Sequence, residues 1–237
     1  VIEIIVYDVF SVGNFYNRTD SDSRFVRHDS ATAGTDNFIA GNNAGDAIQS
    51  GGNYNTVIGN EAGTAITTGD RNTAVGFEAL KTATTAQYNV AVGYQALENN
   101  TGNNNTAVGD QALEANISGT NNTAMGDDAG VSVTTGSYNT FMGAIAADSV
   151  TEGGRNTALG YGALQTDTKG SRSTAVGFNA LGTQNFTSAT DNYNIGIGYD
   201  AGGAVTTGQN NTIIGGLAGD ALTTGGNNVA IGIEALS

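Results

Sequence analysis

The stretch Asn105-Thr106-Ala107-Val108-Gly109-Asp110-Gln111-Ala112-Leu113 recurs twelve times along the chain with small changes. Its central glycine returns every 17 residues in most steps, with one step each of 16, 18 and 21 residues. The twelve glycines are Gly41, Gly59, Gly76, Gly93, Gly109, Gly126, Gly143, Gly160, Gly177, Gly198, Gly215 and Gly232. Such a period is typical of solenoids, in which each unit covers the apolar face of its neighbour. The sequence therefore predicts an all-β fold, a parallel β-roll or β-solenoid of twelve repeats of about 17 residues.

The repeats divide the chain into an N-terminal segment, residues 1–36, and a solenoid domain, residues 37–237. Residues 1–10 are β-branched and aromatic, which predicts a strand buried on both faces. This strand either caps the solenoid or adds to the open end of the next subunit, because an unpaired sheet edge is a template for another strand. The second alternative predicts an end-to-end filament, unless the natural chain continues past Ser237. The predicted filament contacts are Ile2, Ile4, Ile5, Val6, Tyr7 and Phe10.

Repeat positions are numbered here with Asn105 as position 1. Position 1 is Asn in eleven repeats and Ser173 in the other, which indicates a turn and a ladder of stacked amides. Position 2 is mostly Thr and position 4 is aliphatic or Met, so these two share one face of a strand. Position 3, usually Ala, shares the other face with the glycine at position 5.

Neither face of this strand carries a charge in any repeat. A half-exposed strand would carry charges on its wet side, so one face should pack inside its own solenoid and the other on another copy of the chain. We therefore expect a homotrimer about the long axis, in contact through the Ala and Gly face or the Thr and Val face. The predicted interface residues are Ala74, Ala91, Ala107, Ala124, Ala158, Ala175 and Ala230.

The second half of each repeat predicts the periphery of the solenoid. Position 8 is always Ala, and position 9 is mostly Leu or Gly, which indicates an apolar plug or a sharp corner. Segments such as residues 65–69 and 133–136 predict a second short strand that ends in a glycine turn. The charges, Asp167 among them, are expected in wet turns. The 21-residue step inserts residues 184–189, either as a binding loop or as a tolerated bulge.

Composition narrows the function. A net charge of −14 argues against a nucleic-acid partner. The sequence contains no run of 18 apolar residues, so we expect no membrane insertion by a helix. The chain has no Cys, and its glycine pairs lack the pattern of calcium-binding β-rolls, so no metal or cofactor is predicted. His28 beside Asp29 lacks a nucleophile motif, and Asp127-Asp128 is the nearest approach to a carboxylate pair, so no catalytic residue is predicted.

The Asn-Thr-Ala-Val-Gly-x-x-Ala-Leu repeat resembles the head repeats of trimeric autotransporter adhesins and repeats of phage tail-fibre-like proteins. The resemblance covers residues 37–236 and implies left-handed winding, trimerisation and an extracellular, cell-surface or virion location. We therefore expect a non-enzymatic structural or adhesive subunit of an extracellular fibre, with itself as partner and a surface glycan or host receptor as a candidate ligand. A phage receptor-binding segment is the alternative; ice binding through stacked Thr and glycan processing are less favoured.

Overall fold

The structure is a computed structural model that describes residues 34–237, and these residues form fourteen short β-strands. In chain order they are β1 Phe38–Ala40, β2 Thr56–Ile58, β3 Thr73–Val75, β4 Val90–Val92, β5 Thr106–Val108, β6 Thr123–Met125, β7 Thr140–Met142, β8 Thr157–Leu159, β9 Gly170–Ser171, β10 Thr174–Val176, β11 Thr190–Asp191, β12 Ile195–Ile197, β13 Thr212–Ile214 and β14 Val229–Ile231. Between residues 34 and 237 no helix is long and apolar enough to cross a membrane.

Twelve of the strands form one parallel sheet whose spatial order is the chain order, and β9 pairs separately with β11. Repeat positions are in register, so that Ala107 lies opposite Ala91 on one side and Ala124 on the other. About eleven turns of chain connect the twelve strands. The prediction of an all-β parallel solenoid is therefore confirmed for the described residues.

The predicted second strand is missing from most of the described repeats: outside the twelve-stranded sheet, residues 34–237 form only the two-residue strands β9 and β11. Residues 65–69 and 133–136 lie in turns and bends, as do residues 205–208 and 222–225. In these turns a threonine can donate two hydrogen bonds to the same carbonyl. The amide and the hydroxyl of Thr67 both donate to the carbonyl of Thr84, at 2.8 and 3.0 Å. Such side-chain bonds compete with a regular ladder. The turns therefore stack from rung to rung without becoming extended strands.

The glycine at position 5 is required by its backbone and its neighbour. Gly109 has a φ of 143°, and a Cβ built on it would lie 2.2 Å from the carbonyl oxygen of Gly126 in the next rung. Only glycine allows this conformation and this approach together. The glycine column therefore fixes the close stacking of successive rungs just after each strand.

The asparagines at position 1 form the predicted ladder inside the solenoid. The amide of Asn139 donates to Oδ1 of Asn122 at 3.0 Å, and Nδ2 of Asn139 donates to the carbonyl of Gly153 at 3.0 Å. The ladder thus consists mainly of side chain to backbone bonds, which tie each strand to the rung before it and to the far turn of its own rung. Because these amides are buried, each satisfied pair avoids a desolvation penalty of about 1–3 kcal/mol.

Positions 3, 9 and 12 fill the core, and their sizes compensate. One rung has Ala74, Leu80 and Ala83 at these positions, all fully buried. The rung before it has Val57, Gly63 and Ile66, where a Cβ on the glycine would lie 2.8 Å from Ile66 Cδ1 and 3.2 Å from Val57 Cγ1. Position 9 is left-handed in both rungs, with φ of 54° for Leu80 and 52° for Gly63. Leucine is therefore the apolar plug, and glycine makes room for larger neighbours.

This compensation predicts the behaviour of one rung. We expect Gly63→Leu to destabilise the protein by about 1–3 kcal/mol through overpacking. Adding Val57→Ala and Ile66→Ala recreates the set Ala74, Leu80 and Ala83, and should restore most of that loss. Urea unfolding of the parent, the single and the triple variant measures the coupling. Equal stability of the single and triple variants would contradict the shared core.

Candidate interaction face

The side chains at positions 2 and 4 point away from the core and form what we call the outer strand face. These positions are half-buried or exposed in every strand, whereas position 3 between them is buried. None of the outward side chains is charged. Position 4 carries Ala40, Ile58, Val75, Val92, Val108, Met125, Met142, Leu159, Val176, Ile197, Ile214 and Ile231. The chain alone thus leaves an apolar stripe uncovered along the whole sheet.

The threonine hydroxyls at position 2 differ from those in the turns. Turn hydroxyls donate to the next rung, as Thr82 does to the carbonyl of Glu98 at 2.8 Å and Thr151 to that of Thr168 at 3.0 Å. Within residues 34–237, no strand threonine on the outer face has a side-chain hydrogen bond to the protein. They are Thr56, Thr73, Thr106, Thr123, Thr140, Thr157, Thr174 and Thr212. The outer strand face therefore offers a column of unused donors and acceptors beside its aliphatic column.

Two stacked columns border this face. The trailing flank, the residue two places after each strand, contains the stack of Tyr161, Phe178 and Tyr199, whose neighbouring rings are 5.4 Å apart and nearly parallel. Phe77 and Tyr94 stack in the same column at 5.3 Å. Since each ring covers the face of the next, the rings present mainly their edges to solvent. They form two separate aromatic segments of a rim, with Asp110, Asp127 and Ala144 between them, and not a set of open platforms for sugar rings.

The leading flank, the residue two places before each strand of the large sheet, is tyrosine or arginine in seven of the twelve repeats. Arg71 lies between the rings of Tyr54 and Tyr88, 5.2 and 5.4 Å from their centroids. Arg155 stacks on Tyr138 at 5.6 Å in the same way. Exposed contacts of this kind contribute about 0.5–1 kcal/mol each. The second rim is therefore ordered and polar at its outer ends.

Carboxylates gather on the trailing side. Lys81 Nζ lies 2.9 Å from Glu61 Oε2 and also binds Glu78. The hydrogen bond from Lys81, with others, lowers the pKa of Glu78 below its usual value. Three rungs further on, desolvation and then the neighbouring acids, Asp127 first, raise the pKa of Asp128. The negative charge of the chain thus borders the outer strand face but stays off it.

A buried polar network that the sequence did not indicate joins the longest repeat, residues 173–193, to the rung before it. Asp167, expected in a wet turn, is fully buried and is the one buried charged residue among those described. Its Oδ1 accepts from the amides of Gly170 and Phe186 at 3.0 and 2.9 Å, and its Oδ2 accepts from Gln184 Nε2 at 2.6 Å. Burial raises the pKa of Asp167, while these bonds oppose the shift. The network lies where Ser173 interrupts the asparagine ladder.

The insertion is anchored by this network. Gln184 and Phe186 are buried, and only residues 187–189 are fully on the surface. Gln184 Nε2 also donates to Ser173 Oγ at 2.8 Å, and its Oε1 accepts from Asn194 Nδ2 at 2.8 Å. The insertion therefore closes the core in an irregular rung, which leaves a short exposed tip and no extended loop.

The alanines predicted at the subunit interface lie elsewhere. Ala74, Ala91, Ala107, Ala124, Ala158 and Ala175 are fully buried in the chain's own core, and Ala230 is 3% exposed. Their methyl groups cannot reach a second chain, so the interface assignment to this column is corrected. The other face considered for that contact, with Thr and Val, is the one that faces outward. The predicted filament contacts Ile2, Ile4, Ile5, Val6, Tyr7 and Phe10 lie outside the described residues.

The remaining polar candidates are ordinary rung residues. Asp127 and Asp128 lie on the trailing side among the other carboxylates. In the described part of the chain, no group of three or more His, Cys, Asp or Glu side chains is placed to hold a metal ion. Comparisons with protein-family models, curated proteins and solved structures find no match to the chain.

Proposed function

We propose that this chain is a structural or adhesive subunit of an extracellular fibre or surface filament, in which copies of the solenoid associate as homotrimers. The observation that supports this most is the uncharged, apolar outer strand face, which continues over all twelve strands of the sheet. A contiguous apolar surface of this extent is typical of an interaction site. Its length and regularity suit assembly better than the binding of one small molecule.

The distribution of charge supports association between copies. With a net charge of −14, copies of the chain repel each other unless their contact excludes carboxylates. The outer strand face meets this condition, while the trailing side does not. The charged turns then remain in solvent, where they keep an elongated assembly soluble.

The experiment is to measure the mass and shape of the purified chain. We expect light scattering and sedimentation to give the mass of three chains of 23.9 kDa, and electron microscopy to show rods. Binding to cells or surface glycans without turnover would support the adhesive role. A monomer at micromolar concentration would contradict the assembly. Turnover of a surface glycan that is lost in Asp127→Asn would contradict the structural role.

A further inference from the structure

We infer that the outer strand face is the contact between copies, so that in the trimer it packs against the same face of the other copies of this chain around the long axis. This inference rests on the proposed self-association and adds its location. It replaces the alanine column, which the fold places in the core, with the side chains at positions 2 and 4 of the twelve strands.

The chemistry of the face matches itself. Branched aliphatic side chains and two methionines, Met125 and Met142, alternate with threonines whose hydroxyls are unused within the described chain. Against a second such face the aliphatic groups lose water contact, and each hydroxyl can both donate and accept across the contact. Met125 is 40% and Met142 41% exposed, so both project far enough to be covered.

The size of the face suits a stable contact. Twelve strands spaced by about 4.8 Å extend over roughly 55 Å, and a three-residue strand with its two flanks is about 20 Å wide. The product is on the order of 1,000 Å² for each copy, whereas a standard interface buries about 800 Å² per partner. The aromatic and arginine rims then form the border of the contact, with polar ends toward solvent.

The spacing of the face also favours a second copy as the partner. Its ridges repeat once per rung, at the distance between hydrogen-bonded strands. A partner that packs along the full length must repeat at the same distance. A second solenoid of this chain repeats at that same distance, because it has the same rungs. Its unused threonine hydroxyls repeat at that distance too.

The test uses lysine at one outward position. In Met125→Lys the flexible side chain replaces one that is already 40% exposed, so the single chain should fold normally. Assembly should weaken at least tenfold, because each copy brings an unpaired charge to the contact. The control is Thr135→Lys, at an exposed turn of the same rung, which should assemble like the parent. Sedimentation across a concentration series and circular dichroism measure assembly and folding separately.

A cysteine variant provides a second measurement that needs no loss of assembly. Since the chain has no Cys, Thr123→Cys introduces a single thiol on the face, and Thr135→Cys places one in the turn. Oxidation should link copies through position 123 and leave the position 135 variant unlinked. Normal assembly of Met125→Lys, or crosslinking only through position 135, would overturn the inference while the proposed assembly stands. A parent chain that is monomeric would overturn the proposed assembly itself.

Discussion

Gly109→Ala is expected to prevent folding or to lower the free energy of unfolding by about 4 kcal/mol or more, since a single methyl group meets two obstacles here. The backbone has a φ of 143°, which L side chains rarely adopt. The added Cβ would also lie 2.2 Å from the oxygen and 2.6 Å from the carbon of the Gly126 carbonyl. Both atoms belong to backbone that is held by its own rung, so the clash has no simple relief. Urea unfolding followed by circular dichroism measures the loss.

Gly216→Ala is the matched control for this variant. Gly216 directly follows the column glycine Gly215, but a Cβ on Gly216 would meet nothing within 4 Å. We expect its unfolding free energy to stay within about 0.5 kcal/mol of the parent, as for most surface substitutions. If Gly109→Ala and Gly216→Ala were equally stable, the glycine column would not determine the approach of the rungs.

Ala107→Lys is the second change with a large expected effect, and it separates the inner from the outer side of one strand. Ala107 is fully buried, and its register partners Ala91 and Ala124 are buried too. A lysine there leaves an unpaired charge in the apolar core, which should cost about 4 kcal/mol or unfold the chain. Thermal melting at low protein concentration, where assembly does not contribute, measures this loss.

Val108→Lys is the comparison, one residue further along the same strand. Val108 points outward and is half-buried, so its lysine can extend into solvent. The melting temperature of the single chain should change by only a few degrees, because a shift of about 1 kcal/mol moves it by roughly 2–4 °C in a domain of this size. A folded Ala107→Lys variant with the melting temperature of the parent would show that the alanine column is not interior.

Much of the architecture could be predicted because each rung repeats the same local requirements. The 17-residue period, the invariant glycine and the asparagine at position 1 indicated a parallel stack with a ladder of stacked amides, and the structure contains both. The turn segments were harder to interpret. Threonine favours strands in general. In these turns, however, the hydroxyl of a threonine such as Thr67 shares one carbonyl acceptor with the amide of the same residue.

Which face of the strand points inward could not be read from alternation alone. Alternation separates positions 2 and 4 from position 3, but alanine suits both a tight core and a close contact between chains. The deciding signal lies in the compensation between positions: Val57 is followed by Gly63, whereas Ala74 is followed by Leu80. Residues that exchange volume in this way must share one interior. That comparison across repeats places the alanine column in the core.

The irregular rung and the rung before it contain residues whose environment could not be predicted from the repeat. Asp167 occupies position 12, which is Val133 in an earlier rung and Asn116 in another, and all three are buried. A carboxylate at an interior position was not expected because a buried charge is costly unless it is paired, and the nearest cation in sequence, Lys169, pairs with Glu152 instead. Its partners are the backbone amides of Gly170 and Phe186 and the side-chain amide of Gln184. Two of these three donors, Phe186 and Gln184, belong to the insertion.

The direction of the inter-rung bonds has a mechanical consequence. The covalent chain winds around the long axis. The hydrogen bonds that amide groups of the glycines, asparagines and turns make to neighbouring rungs run along this axis. Tension applied to the two ends of the solenoid therefore acts on all bonds at a rung boundary together, and each boundary carries the same load. Under such tension the rod should first yield at the boundary between Ser173 and Asn194, because the amide of Asn194 donates to Asn192 Oδ1, two residues earlier, and not to the side chain at position 1 of the preceding rung.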